Sequence, residues 1–175
     1  MVDELTVIAS SYHRNGYYFP VDAMSPEQAL AYRSQFEAAE REYKDKDPDF
    51  DALVFGHANM VMPFIDEITR LPTVLDPVRA ILGPDVMVWG ANLFIKEARS
   101  NGYVSWHQDL TYWYLDDVDE VTAWVALSPA TVQSGCMRYV PGTHTQEIAV
   151  HRDTFAENNQ LSRGQELVVD VNEAE

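Results

Sequence analysis

The residues with the clearest chemical potential are His107 and Asp109, which are separated only by Gln108. Successive side chains of a β-strand point to opposite faces, so on a strand His107 and Asp109 would point to the same side. An imidazole and a carboxylate held side by side supply two of the three protein ligands of a 2-His-1-carboxylate iron(II) site. The third ligand, a second histidine, must come from elsewhere in the fold. A three-residue pattern also recurs by chance, and the alternative is a strand-end histidine paired with an acid.

The residues on both sides of this pattern make the metal interpretation more specific. WHQD occupies Trp106 to Asp109, TAW-x-AL occupies Thr122 to Leu127, and GC-x-R-x-x-PGTH runs from Gly135 to His144. From about Asn92 to His144 the sequence resembles the phytanoyl-CoA dioxygenase family of iron(II)- and 2-oxoglutarate-dependent oxygenases. The HRNGYYFP segment from His13 to Pro20 extends the resemblance weakly towards the N-terminus.

The resemblance implies a dioxygenase that hydroxylates an unactivated C–H bond of a small organic molecule. It implies Fe(II), 2-oxoglutarate and O2 as cofactor and cosubstrates, with ascorbate as an optional reductant. His107 and Asp109 are then the catalytic and metal-binding residues, and Trp124 lies near the cosubstrate, with a core aromatic as the alternative. Asn92 and Lys96 could reach a carboxylate of 2-oxoglutarate, with plain solvent exposure as the alternative. Because related halogenases replace the carboxylate with a small residue, Asp109 favours hydroxylation over halogenation.

The chain departs from the family pattern after the PGTH run. Proteins that it resembles carry the second iron histidine and an arginine for 2-oxoglutarate on late strands, and neither is found convincingly before Glu175. We interpret the remaining histidines as surface or packing residues: His13, His57, His144 and His151. We therefore expect a C-terminally truncated form. The alternatives are a non-catalytic fragment or binding protein of the same fold, and a metal-binding cupin that does not use 2-oxoglutarate.

Length, composition and charge limit the class of protein. The chain has 175 residues, of which 46% are hydrophobic, enough for one domain with a substantial core. The formal net charge of −16 disfavours nucleic acid as a partner, because nucleic-acid binding relies on Lys and Arg. The single cysteine, Cys136, excludes an internal disulfide. With an acidic start and no apolar run of about 18 to 20 residues, the sequence predicts a cytoplasmic protein with no membrane partner.

The first half of the chain, residues 1–84, is predicted to be mostly helical. Ser25 is a good N-cap, Pro26 fits the first helical position, and Gln28 completes a capping box. Apolar residues then recur at steps of three and four, which indicates one buried helix face: Ala29, Tyr32, Phe36, Ala39 and Tyr43. The other elements predicted here are a short strand near Tyr17, a helix over Met60 to Ile68 with Pro63 near its start, and a helix from Asp76 to Gly83.

The second half, residues 85–175, is predicted to form strands. The segments rich in β-formers are Val86–Ile95, Tyr103–Tyr114, Val121–Leu127, Cys136–Val140 and Glu166–Val171. Helices followed by short strands argue for a mainly β fold with helices (α+β), in which helices pack outside a jelly-roll or cupin-like barrel. The resemblance implies the same double-stranded β-helix. Such a barrel needs about eight strands, so we expect an incomplete barrel within a single domain over residues 1–175.

Overall fold

The computed structural model describes residues 3–113, 115–116 and 119–171. The chain forms two compact units: Met1–Ile95 with Val121–Ala130, and Lys96–Glu120 with Thr131–Glu175. The single domain over residues 1–175 stays a prediction. Across the described ranges, no helix has both the length and the apolar character to cross a membrane.

The first unit is built from helices that surround an aromatic and aliphatic core. In chain order they are α1 (Glu4–Asn15), α2 (Pro26–Tyr43), α3 (Phe50–Gly56), α4 (Ala58–Val61), α5 (Pro63–Arg70) and α6 (Pro72–Leu82). Tyr32 of α2 stacks on Phe64 of α5 with ring centroids 6.2 Å apart. Around them lie the other buried residues of the core: Phe36, Phe50, Val54, Ala58, Met62, Ile65 and Ile68. Burial of these side chains holds the helices together.

Local sequence signals place the start of α2 correctly, whereas the helix predicted over Met60 to Ile68 is divided at Met62 into α4 and α5. The Ser25 hydroxyl accepts a hydrogen bond from the Gln28 backbone N–H, and the Gln28 side chain accepts one from the Ser25 backbone. This confirms the predicted capping box. Pro63 stands at the first position of α5, where a missing N–H costs no intrahelical bond.

We expect Ser25→Ala to lower the free energy of unfolding by about 1 kcal/mol, because the first turn of α2 loses its side-chain acceptor. Urea denaturation followed by circular dichroism measures this change. Ser34→Ala is the matched control, because Ser34 is exposed in the middle of the same helix and donates only to the Leu30 carbonyl. Equal effects of the two substitutions would contradict the assigned role of the cap.

Two predictions in this unit are wrong. No strand forms near Tyr17. Helix α1 ends just before this position, and its C-cap Gly16 has a left-handed φ of 85°. The alternation of Leu5 and Val7 resembled a strand, although an acidic first turn and Ile8 on the buried face suit a helix. Helix α6 begins at Pro72 rather than after Asp76, and Pro77 lies inside it. A proline marks a helix start only when no earlier proline already occupies that place.

The second unit contains shorter elements. They are α7 (Leu110–Trp113), a 3₁₀-helix over Thr143–Thr145, and strands β1 (His151–Arg152) and β2 (Glu166–Leu167). The two strands pair antiparallel, with His151 opposite Leu167 and Arg152 opposite Glu166. A parallel bridge joins Tyr103 to Asn159.

Among the described residues, most of the predicted strands do not form. No strand forms in Val86–Ile95, Val121–Leu127 or Cys136–Val140. Only part of Glu166–Val171 becomes β2. Helix α7 interrupts Tyr103–Tyr114, whose last residue lies outside the described residues. The described residues are thus mainly helical rather than mainly β. A strand requires a hydrogen-bonded partner, which sequence alternation alone does not supply.

Alternation matches burial in part of the segment Val121–Leu127. Val125 and Leu127 pack against the helical core, whereas Trp124 and Ala126 are exposed. Ala123, on the same side of the alternation as Val125, is also exposed, so the pattern does not hold over the whole segment.

Candidate metal centre

His107 and Asp109 approach each other in a loop that leads into α7. The Nε2 atom of His107 lies 3.1 Å from the Oδ1 atom of Asp109. The predicted proximity is therefore present, but a loop brings it about instead of a strand. The backbone of Asp109 is held by the turn into α7, where the Tyr112 N–H donates to the Asp109 carbonyl at 2.9 Å.

The other nitrogen of His107 fixes the orientation of the ring. Nδ1 lies 2.8 Å from the Ser105 carbonyl oxygen, which can only accept, so Nδ1 carries a proton. In a neutral imidazole the lone pair then resides on Nε2, the atom that faces Asp109. This arrangement of a ring nitrogen, a backbone carbonyl behind it and a carboxylate in front is typical of a metal-ligating histidine.

The electrostatics of the pair suit a cation. Burial works to lower the pKa of His107, but the hydrogen bonds to Asp109 and the Ser105 carbonyl and the charge of Asp109 raise this pKa above its ordinary value. Burial, and then the charge of Asp109, raise the pKa of Glu120 to about 7. The negative charge of Asp109 thus stabilises positive charge and disfavours further negative charge around it, as a site for a divalent cation requires.

His107 and Asp109 are two candidate ligands, and no third side chain joins them among the described residues. Within residues 3–113, 115–116 and 119–171, no group of three His, Cys, Asp or Glu side chains is arranged to hold a metal ion. His107 and Asp109 therefore fit iron(II) as two of its three protein ligands. The position of a second iron histidine stays a prediction.

Buried polar residues anchor the loop that carries the pair. The Ser105 hydroxyl donates to the carbonyl of Gln165, whose side chain is fully buried. The Asn159 amide donates to the Ser105 hydroxyl at 2.9 Å, and Asn159 is itself buried. Since His107 is bonded to the Ser105 carbonyl, these bonds hold the imidazole through its neighbour.

Four aromatic residues lie next to the pair in the sequence: Trp106, Tyr112, Trp113 and Tyr114. The Tyr112 ring meets the His107 ring edge to face, with centroids 5.8 Å apart. The Arg138 guanidinium lies 5.5 Å from the centroid of the Trp106 ring. Trp113 is half-buried, and Tyr114 lies outside the described residues. Among the described atoms the buried Tyr112 hydroxyl has no hydrogen-bond partner.

The residues predicted to bind 2-oxoglutarate are placed as follows. Lys96 belongs to the second unit, and its Nζ donates to the Gly135 carbonyl at 2.5 Å. Asn92 and Trp124 belong to the first unit, and both are exposed. Their roles at the cosubstrate stay predictions.

One residue near the pair was not found from the sequence. His151 was interpreted as a surface or packing residue, but its Nε2 accepts a hydrogen bond from the Gln108 backbone N–H at 3.0 Å. Gln108 lies between the two candidate ligands. No spacing rule links residues that are 43 positions apart, and only the fold brings them together.

Comparisons with known proteins identify the family of the chain. The family model described as phytanoyl-CoA dioxygenase (PhyH) matches residues 12–173. The phytanoyl-CoA dioxygenase domain-containing protein 1 of Mus musculus is 34% identical over 97 residues, which cover 54% of this chain and 33% of that protein. A probable alpha-ketoglutarate-dependent hypophosphite dioxygenase of Stutzerimonas stutzeri is 27% identical over 89 residues, which cover 51% of this chain and 31% of that protein.

A solved structure described as a non-heme monooxygenase, ThoJ in its apo form, shares the fold. It superposes with a TM-score of 0.81 at 31% sequence identity, over 95% of this chain and 61% of that chain. The chain spans about a third of the length of the two curated relatives. The family model nevertheless covers nearly every residue, including the His107 and Asp109 pair. The chain belongs to the phytanoyl-CoA dioxygenase family.

Proposed function

We propose that this chain forms part of an iron(II)- and 2-oxoglutarate-dependent dioxygenase that hydroxylates an unactivated C–H bond of a small organic molecule. The observation that carries the proposal is the His107–Asp109 pair, in which Nε2 and a carboxylate oxygen converge while Nδ1 is bonded to a backbone carbonyl. The names of the relatives support the reaction class, since they describe dioxygenases and, in one case, dependence on alpha-ketoglutarate.

In this proposal, His107 and Asp109 hold the iron. The metal, when bound, supplies the activation of dioxygen that lets oxygen enter a C–H bond. Ser105 keeps the imidazole in the tautomer that offers Nε2. Asp109 occupies the position that must be vacant for a halide, so hydroxylation is the favoured outcome.

The remaining residues of the proposal orient ligands and exclude water. The Tyr112 ring meets His107 edge to face and shields one side of it from water. Lys96 is proposed to meet a carboxylate of 2-oxoglutarate, with Asn92 and Trp124 near the same cosubstrate. A jelly-roll fold for the enzyme belongs to the same proposal, because the structural neighbour is a non-heme monooxygenase.

The test is anaerobic binding followed by turnover. We expect the chain, or the longer product if its coding sequence continues, to form a coloured Fe(II)–2-oxoglutarate chelate with a visible charge-transfer band. On addition of O2 and ascorbate, succinate should form. The Asp109→Ala variant should lose the band and the succinate, because it removes one of the two ligands.

Two results would contradict the proposal. Iron binding without the charge-transfer band in any form of the protein would instead indicate a metal-binding cupin that does not use 2-oxoglutarate. Absence of both iron binding and succinate in the longest product would indicate a non-catalytic binding protein. The binding step needs no substrate, so it gives an answer even if turnover requires one.

A further inference from the structure

We infer that His151 is a positioning residue for the metal centre, because its imidazole holds the Gln108 amide between the two metal ligands. The inference rests on the proposed function for the identity of the centre. It concerns a residue that the iron itself does not touch.

Two hydrogen bonds join Gln108 to the segment that ends at His151, and a third lies within that segment. The Gln108 backbone N–H donates to His151 Nε2 at 3.0 Å. The Ala149 backbone N–H donates to the Gln108 side-chain oxygen at 2.8 Å. His151 Nδ1 lies 2.8 Å from the Ala149 carbonyl oxygen. We call Gln108, Ala149 and His151 together the Gln108 clamp.

The directions of these bonds determine the state of His151. A backbone N–H can only donate, so Nε2 must accept and carries no proton. Nδ1 then carries the proton and donates it to the Ala149 carbonyl, which can only accept. Both ring nitrogens are used, so His151 contributes order to the loop and does not offer a lone pair to a metal. This explains why a half-buried histidine so near the pair is not a third ligand.

The clamp acts on the backbone that sets the distance between the ligands. Gln108 is the single residue between His107 and Asp109, so a shift of its amide moves both side chains. His151 is itself held in β1, where it pairs with Leu167, and the Val168 N–H donates to the Val150 carbonyl at 3.0 Å. The small sheet therefore fixes His151, and His151 fixes the loop.

Loss of the His151 Nε2 acceptor should lower the affinity for Fe(II). A half-buried N–H without a partner costs free energy, so the loop would move to satisfy the Gln108 amide elsewhere. Residues that orient metal ligands typically affect metal affinity about 10- to 100-fold when they are changed. A residue that only fills space would not depend on an acceptor at the position of Nε2.

The variants separate these roles. In His151→Gln, the side-chain oxygen can reach the position of Nε2, whereas in His151→Asn the shorter side chain reaches only the position of Nδ1. His151→Leu keeps similar bulk and removes both. Arg152→Leu is the matched control, because Arg152 is exposed on the same strand and makes only a long 3.9 Å ion pair with Glu166.

The experiment combines amide hydrogen exchange of Gln108, measured by NMR on the labelled chain, with anaerobic Fe(II) titration by calorimetry. We expect His151→Leu and His151→Asn to speed exchange at Gln108 by about tenfold or more and to weaken Fe(II) binding about tenfold. His151→Gln should restore most of both, and Arg152→Leu should change neither. If His151→Leu fails to fold, the comparison of His151→Gln with His151→Asn tests whether an acceptor at the position of Nε2 is needed.

The outcomes distinguish the inference from the proposed function. Unchanged exchange at Gln108 in the Asn variant would overturn the clamp, as would faster exchange with unchanged Fe(II) affinity in a chain that binds Fe(II). A wild-type chain that binds no Fe(II) would contradict the iron centre and with it the positioning role, although the clamp would still be tested by exchange at Gln108.

Discussion

Replacement of His107 with alanine is expected to weaken Fe(II) binding about a hundredfold or to below detection, while the chain stays folded. His107 is one of the two proposed protein ligands, and its Nε2 lies 3.1 Å from Asp109 Oδ1. Without the imidazole, Asp109 alone must hold the metal, and an exposed carboxylate binds divalent cations weakly. Anaerobic calorimetric titration in the presence of 2-oxoglutarate measures the change.

The matched control for this variant is His144→Ala. His144 is an exposed histidine of the PGTH run, so the same substitution removes the same kind of side chain at a position that is not proposed to bind iron. Fe(II) affinity should stay within about twofold of that of the unchanged chain. If His144→Ala abolished binding and His107→Ala did not, the metal centre would have been assigned to the wrong histidine.

The sequence alone predicted what depends on neighbouring residues. The capping box of α2 needs only Ser25, Gln28 and the backbone between them, and it is present as predicted. Pro63 marks the start of α5 for the same local reason. The pairing of His107 with Asp109 also follows from a separation of two residues, which keeps both side chains within reach of one ion whether the backbone is a strand or a loop.

What the sequence did not predict depends on distant partners. Strands were expected over Val86–Ile95 and Val121–Leu127, but β-propensity describes a side chain on a half-buried surface and does not provide a neighbouring strand. The bond from Gln108 to His151 crosses 43 residues and leaves no periodic signal. The proximity of His107 and Asp109 could therefore be predicted from the sequence, whereas the residue inferred to hold their loop required the structure.

Backbone geometry near the anchors of the loop supplies the second large effect. Gly164 is buried and has a φ of +60°, in the left-handed region where a side chain is unfavourable. A Cβ atom at this position would lie 2.7 Å from the Ala156 nitrogen and 3.0 Å from the Phe155 nitrogen. Both are backbone atoms, so they cannot change rotamer to avoid the added Cβ as a side chain could. The Phe155 N–H is also hydrogen-bonded to the Arg163 carbonyl at 2.9 Å, which holds this backbone in place.

We expect Gly164→Ala to lower the free energy of unfolding by about 3 kcal/mol, since conformational strain and overlap each cost about 1 to 3 kcal/mol. Gly142→Ala separates the two costs, because Gly142 has a φ of +77° but no atom within 4 Å of an added Cβ. The control should lose only about 1 kcal/mol. Urea denaturation followed by tryptophan fluorescence measures both. Equal losses would show that the loop over Phe155 and Ala156 can yield. A larger loss at Gly164 would show a rigid packing contact beside Gln165, whose carbonyl anchors Ser105 behind the His107 imidazole.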